Sequence, residues 1–150
     1  MGTLPSGEEI IGKLISIRTL QEKDVPSLRD WAFETTQSIQ AEITKHITNS
    51  EFKSDPDTYQ DRLYKYHYLM GGMSGLVTAL YDKVYVLSYR KLTEASRTDA
   101  AVAKQKLTAG DREVYAKDDS ADLKGLKLII EEAISNLQTR MYGVKSSKRW

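Results

Sequence analysis

The sequence predicts an all-α protein of several helices, two of them long, that assembles through helix packing into an oligomer. Strand signals are almost absent: the chain has no Asn-Gly or Asp-Gly hairpin turn, and only 84–86 is locally β-like. Capping residues recur, and apolar residues follow them at three- and four-residue spacing. Helices this long in a chain of 150 residues leave apolar stripes that partner subunits would cover.

We treat the whole chain, 1–150, as one all-helical domain. Its N-terminal helical region spans about 1–54, and a long central helix and C-terminal helices span about 55–145. Two helices are predicted in the N-terminal region. Ser6 with Glu9 three residues later forms a capping box that opens the first helix.

The second helix has a weaker start signal in Ser27 with Asp30, directly after a proline. It carries an apolar stripe over 28–47 at helical spacing. The polar stretch 49–54 that follows predicts a loop.

The central helix begins at Asp55-Pro56, where the aspartate caps and the proline takes the first helical position. It is expected to run to about Glu94, with an apolar face over 63–87. Three glycines in its middle each cost about 1 kcal/mol relative to alanine, so they bend or break the helix or admit another backbone. These glycines are Gly71, Gly72 and Gly75.

Two short helices are predicted next. The polar junction 96–99 ends the central helix, and 100–107 forms a short helix. Thr108 with Asp111 is a second capping box, and it opens a turn or two that end near Tyr115.

The last helix has the clearest pattern of the chain. Ser120 or Asp119 caps it, and Gly143 is placed to stop it. Its apolar stripe comprises Leu123, Leu126, Ile130, Ala133, Ile134, Leu137 and Met141. Four of these residues are predicted at an oligomer interface: Ile130, Ile134, Leu137 and Met141.

Composition and motifs favour a protein without enzymatic activity, cofactor or metal. The absence of cysteine excludes a disulfide framework, a thiol nucleophile and Cys-ligated zinc. The chain has no phosphate loop, no Gly-x-Ser-x-Gly elbow and no His-Glu-x-x-His pair. The acidic cluster over 118–122 is better explained by helix capping than by metal binding.

The apolar runs and the N-terminus indicate the compartment. No run approaches the roughly 20 residues that cross a bilayer, and the N-terminus lacks the layout of a signal peptide. We therefore expect a cytoplasmic protein that does not contact membranes.

Charge and tyrosine content point to a partner. The net charge is +1, but residues 1–75 carry −3 and residues 76–150 carry +4. Tyr81, Tyr85 and Tyr89 recur every four residues near Lys83, Arg90 and Lys91 on the central helix. Aromatic rings beside cations bind single-stranded nucleic acid. Packing between helices also accounts for these tyrosines, and composition alone favours that explanation.

The C-terminal half contains the tract 106–114 and then a long helix that closes on 134–145. With these two motifs the chain resembles the tailed-phage recombination mediators of the UvsY type over about 76–145. In that family a basic helix precedes a Leu-Ser-Ala-Asp-like turn, whose place 106–114 takes here. The family's final helix closes on Ser-Arg, an aromatic, a small residue, an aliphatic and a lysine. Those places are taken by Thr139-Arg140, Tyr142, Gly143, Val144 and Lys145. The tract 83–91 takes the place of the family's single-strand-binding helix.

The resemblance implies a non-enzymatic, helical homo-oligomer, closed into a ring in the family, that acts in DNA recombination, repair and replication. Such proteins bind single-stranded DNA, loosen the single-strand-binding protein and promote loading of a RecA-type recombinase, here in the host bacterial cytoplasm. The resemblance implies phosphate contacts for Lys83, Arg90 and Lys91, while spacing alone assigns base stacking to Tyr85 and Tyr89. Arg140 and Lys145 are predicted to contact DNA or an adjacent subunit, and a structural salt bridge for Arg140 is an alternative.

Two other functions remain open from the sequence. One is a phage structural or adaptor protein that assembles through helix packing without nucleic acid. The other is a small helical regulator or inhibitor that binds another protein. A mediator needs a basic surface, whereas the structural protein needs apolar interfaces alone.

Overall fold

The computed structural model describes residues 4–47 and 54–148, with side chains described as far as Val144. All-α architecture is confirmed: these residues form six α-helices and no strand. Oligomeric assembly stays a prediction. The helices are α1 (Gly7–Ser16), α2 (Val25–His46), α3 (Pro56–Thr98), α4 (Ala100–Ala103), α5 (Ala109–Asp119) and α6 (Ala121–Lys148). Two 3₁₀ turns, Ile17–Thr19 and Glu22–Asp24, join α1 to α2.

Helix α3 is the axis of the fold. Its 43 residues span about 65 Å, and each of the other five described helices contacts it. The end of α6 lies at the start of α3, where Arg140 reaches Tyr59, so these two helices run antiparallel. Helix α2 runs alongside α6, with Arg29 at the α5–α6 junction. Helix α1 runs parallel to the first half of α3, and α5 covers the second half.

The core forms where α2, α3 and α6 meet. Each helix contributes the apolar stripe that its spacing predicts, and burial of these side chains holds the three helices together. Its buried residues include Leu28, Ala32 and Ile39 of α2, Leu63, Met70, Met73, Leu76, Val77 and Leu80 of α3, and Leu123, Leu126, Ile130 and Leu137 of α6. One chain thus covers much of the stripe surface that was predicted to need partner subunits.

Three predicted helix starts are confirmed by their capping bonds. The Ser6 hydroxyl accepts the Glu9 N–H at 3.1 Å, and the Asp55 carboxylate accepts the Thr58 N–H at 3.2 Å. Around Thr108 the capping box is reciprocal, because its hydroxyl accepts the Asp111 N–H while the Asp111 carboxylate accepts the Thr108 N–H. These bonds satisfy N–H groups that a helix leaves unpaired at its first turn.

The predicted start of the second helix is wrong. Helix α2 begins at Val25, two residues before Ser27, and Asp24 occupies the cap position without a side-chain capping bond. Pro26 explains the earlier start, because its fixed φ favours the first helical turn and it needs no N–H partner there. Residues 48–53, most of the predicted loop, lie outside the described residues.

The central helix is unbroken through its glycines and runs past Glu94 to Thr98. The predicted break is therefore absent, and 84–86 is helical rather than β-like. Close approach explains one glycine: a Cβ on Gly72 would lie 3.1 Å from Cγ2 of Ile10, where α1 packs on α3. A Cβ on Gly71 or Gly75 would meet nothing within 4 Å.

The junctions around α4 and α5 differ from the prediction. Helix α4 ends at Ala103 rather than at residue 107, because the chain turns through Lys106, whose φ of 50° is left-handed. Helix α5 continues beyond Tyr115 to Asp119.

The ends of α6 also differ from the prediction. The Ser120 hydroxyl donates to the Ala116 carbonyl at 2.8 Å, so it closes α5 instead of capping α6. Helix α6 passes through Gly143 to Lys148, and no described glycine has a positive φ. Val144 is buried, and its packing in the core keeps the chain helical beyond Gly143, where a glycine could have ended the helix.

Candidate nucleic-acid interface

Three cations of α3 form a row along one side of the helix. Lys83, Arg90 and Arg97 recur at seven-residue intervals, which is nearly two helical turns, so neighbours lie about 10 Å apart. Arg90 and Arg97 are exposed, and Lys83 is half-buried. We call these three residues the cation row. Arg97 is not among the residues predicted from the sequence to contact DNA, although the same seven-residue spacing identifies it.

The cation row is the open continuation of the α3 face that α1 covers. Lys83 Nζ donates to the Arg18 carbonyl at 3.4 Å, directly after α1, and this bond leaves the lysine charge unpaired. Arg90 and Arg97 form no ion pair with any described residue. Glu94, one turn after Arg90, is the exposed acid that lowers the net charge of this surface.

Lys91 lies on another side of α3, next to the 3₁₀ turn before α2. Its ammonium pairs with the Glu22 carboxylate at 2.8 Å, and this hydrogen bond raises the pKa of Lys91. Both side chains are exposed, and exposed ion pairs are weak. A phosphate would therefore compete with Glu22 for Lys91 at small cost.

Tyr85 and Tyr89 face α5 rather than the cation row. Tyr85 comes two residues after Lys83, which places it about 200° away around the helix. The Arg112 guanidinium lies 5.8 Å from the ring centroid of Tyr89. Desolvation beside α5 raises the pKa of Tyr85, and the carboxylate of Glu113 raises it further. Arg112 of α5 thus lies over one ring face of Tyr89, and the stacking role of Tyr85 and Tyr89 stays a prediction.

Arg140 and Lys145 lie far from the cation row. An Nη1 of Arg140 donates to the Tyr59 hydroxyl at 3.3 Å, at the start of α3. Tyr59 precedes Arg90 by 31 positions, which is about 46 Å along the helix. The Lys145 side chain lies outside the described side chains, although its backbone belongs to α6. Among the predicted DNA-contacting residues whose side chains are described, Arg140 is therefore separate from those of α3, and the set does not form one site within the chain.

The predicted interface residues divide between core and margin. Ile130 and Leu137 are 0% and 1% exposed, so they pack inside this chain, whereas Ile134 and Met141 are half-buried at its margin. The interface stays a prediction, and Ile134 and Met141 are its members that reach the surface. Large apolar side chains that are more exposed include Ile11, Ile15, Tyr64, Tyr68, Val114, Tyr115, Leu128 and Tyr142.

The acidic residues around 118–122 connect helices to one another. The Ser88 hydroxyl of α3 donates to the Asp119 carboxylate. The Arg29 guanidinium of α2 donates to the Asp119 carbonyl at 3.0 Å and lies 3.5 Å from the Asp122 carboxylate. Among the described residues, no group of three or more His, Cys, Asp or Glu side chains is arranged to hold a metal ion.

This chain matches no protein-family model, and no curated protein or solved structure matches it. None of the helices over the described ranges is both long and apolar enough to span a membrane.

The chemistry of the candidate site is ionic, since the cation row offers N–H donors with positive charge. Such groups bind phosphate through charge-assisted hydrogen bonds.

Proposed function

We propose that this protein is a non-enzymatic recombination mediator, which binds single-stranded DNA and helps load a RecA-type recombinase in place of single-strand-binding protein. The observation that carries the proposal is the cation row of Lys83, Arg90 and Arg97. It lies on an unbroken stretch of α3, and Lys83 and Arg90 belong to the tract 83–91 that resembles the basic helix of the UvsY-type family, whereas Arg97 follows that tract.

Phosphate contacts supply the affinity in this proposal. Each neutralised phosphate on a single strand changes log K by about 0.7 per tenfold change in salt, and a row of three cations supplies few such contacts. A homo-oligomer, as the resemblance implies, brings several rows to one strand and raises the effective concentration of each. The proposed affinity does not depend on base stacking on Tyr89, since the Arg112 guanidinium already lies over that ring.

The test is fluorescence anisotropy with a labelled oligonucleotide of about thirty nucleotides, long enough to span several binding sites. We expect binding without strong sequence preference, and an affinity that falls steeply with salt. Arg90→Ala should weaken binding and reduce the salt slope by about 0.7 for each phosphate that the variant no longer neutralises. Arg90 is exposed, so the thermal midpoint should stay unchanged.

Lys65→Ala is the matched control. Lys65 is an exposed cation on the same helix, 25 positions before Arg90 and therefore about 37 Å away. This substitution removes one positive charge without touching the cation row, so binding should stay close to that of the wild type. Equal losses for both variants, or no binding at low salt, would overturn the proposal.

The loading step needs a second assay. A RecA-type recombinase hydrolyses ATP slowly when single-strand-binding protein covers the DNA, and wild-type protein should raise that rate. The Arg90→Ala variant should raise it less at equal concentration. Tight DNA binding without any increase in the rate of ATP hydrolysis would contradict the mediator role. The protein would then be a DNA-binding protein that does not load the recombinase.

A further inference from the structure

Helix α1 presents apolar side chains on two sides. Ile10 is buried against α3, whereas Ile11 and Ile15 are 50% and 63% exposed on the outer side. The two exposed residues are one helical turn apart, so they form one continuous patch. Two contiguous exposed aliphatic side chains give a small apolar surface that a second protein surface could cover.

Opposite charges lie at the two ends of this patch. Glu8 precedes Ile11 by three residues, and Arg18 follows Ile15 by three, in the turn that extends α1. Both charged side chains are exposed, and neither forms an ion pair within 4–47 or 54–144. Along the chain this surface has the order acid, aliphatic, aliphatic, base, and its four positions are spaced symmetrically about Lys13. Two such helices in opposite directions would therefore place the acid of each opposite the base of the other. We call Glu8, Ile11, Ile15 and Arg18 the α1 outer face.

We propose that the α1 outer face docks on the same face of a second copy of this chain, with the two α1 helices antiparallel across a twofold axis. In this arrangement Ile11 packs on the partner's Ile15, and Glu8 lies opposite the partner's Arg18. Twofold symmetry repeats each contact, so the interface holds two aliphatic contacts and two ion pairs. A parallel pairing would instead bring each glutamate against the other.

The centre of the arrangement has room for close approach. Gly12 lies between the two isoleucines, and a Cβ there would meet nothing within 4 Å. Lys13, the residue nearest the twofold axis, points away from this face, because its ammonium lies 5.3 Å from the ring centroid of Trp31. Two like charges therefore do not meet at the axis.

The face is small for an interface between two subunits. A helix of 10 residues offers less area than the roughly 800 Å² per partner of a standard interface. We therefore expect weak association that depends on protein concentration. The cation row adjoins this face, because Lys83 donates to the Arg18 carbonyl, so self-association is measured in the absence of DNA.

Sedimentation velocity across the micromolar range tests the apolar half of the proposal. The wild type should show a concentration-dependent association step that Ile15→Asp lacks, and the thermal midpoint of the variant should equal that of the wild type at concentrations below this step. Val114→Asp is the control, because Val114 is 67% exposed on α5, outside the α1 outer face. A wild type without this step, or a step that survives Ile15→Asp, would overturn the proposal.

Charge exchange tests the antiparallel orientation. Glu8→Arg and Arg18→Glu should each weaken the dimer, because each creates two like-charge contacts across the axis. The double variant restores opposite charges and should recover most of the original association. Circular dichroism of each variant checks that α1 remains helical, since a cation near a helix start is unfavourable. A double variant no better than the single ones would refute the antiparallel pairing.

Discussion

Alanine substitution at the three mid-helix glycines should separate open positions from a packed one. A Cβ at Gly71 or Gly75 meets nothing within 4 Å, so alanine there gains its helix propensity with no steric cost. That gain is about 0.8–1.0 kcal/mol at each site. In a chain of 150 residues, about 1 kcal/mol shifts the thermal midpoint by roughly 2–4 °C. Each single variant should therefore melt about 3 °C higher than the wild type.

Gly72 should behave differently because Ile10 lies against it. The new Cβ would be 3.1 Å from Cγ2 of Ile10, so that side chain must move by a few tenths of an ångström. Ile10 is 3% exposed, and overpacking a buried site costs about 1–3 kcal/mol. Subtracting the propensity gain leaves Gly72→Ala between neutral and about 2 kcal/mol less stable than the wild type.

Thermal unfolding followed by circular dichroism, at one fixed protein concentration, compares the three variants directly. The fixed concentration matters because self-association shifts the midpoint of any oligomer. Failure of Gly71→Ala and Gly75→Ala to raise the midpoint would refute the conclusion that these positions are open. A gain for Gly72→Ala equal to theirs would refute close packing of α1 on α3.

Three further outcomes follow from the capping box of α5 and the stripe of α6. Thr108→Ala should cost about 1 kcal/mol in chemical denaturation, and a cost near zero would contradict the capping bond. The bonds from Thr108 hold the pKa of Asp111 below its ordinary value of 3.8, so this stabilisation is present above that value and is lost as pH falls through the folded pKa. Asp111→Asn should therefore flatten the acid limb of the stability profile, and an unchanged limb would contradict the assignment. Leu137→Ala should cost about 2–5 kcal/mol because the side chain is fully buried, and half-buried Ile134→Ala should cost less; the reverse order would contradict the packing.

Local signals predicted the helices well where a cap and a stripe coincide. Asp55-Pro56 and the pair Thr108 and Asp111 fix two helix starts, because each start depends on side chains within one turn. At Gly143 the local signal gave a wrong prediction, because α6 continues past it. The backbone of this glycine is permitted to end a helix, but burial of Val144 against the rest of the chain decides that α6 continues.

The candidate site was predictable in its cations but not in its geometry. Spacing alone identifies Lys83 and Arg90 as neighbours on one side of a helix. It does not reveal that Arg112, from a different helix, lies over Tyr89, because that contact depends on how α5 folds back. The ion pair of Lys91 with Glu22 depends in the same way on a turn 69 positions earlier in the chain.

The two short helices that flank α3 are anchored at separate places. Helix α1 contacts the first half of α3 around Gly72, whereas α5 is held on the second half through Thr93. Local unfolding of one helix therefore breaks none of the described hydrogen bonds that hold the other, and each can open as its own cooperative unit. Amide hydrogens of α1 can exchange with solvent through such an opening while the segment of α3 that carries Arg90 stays helical.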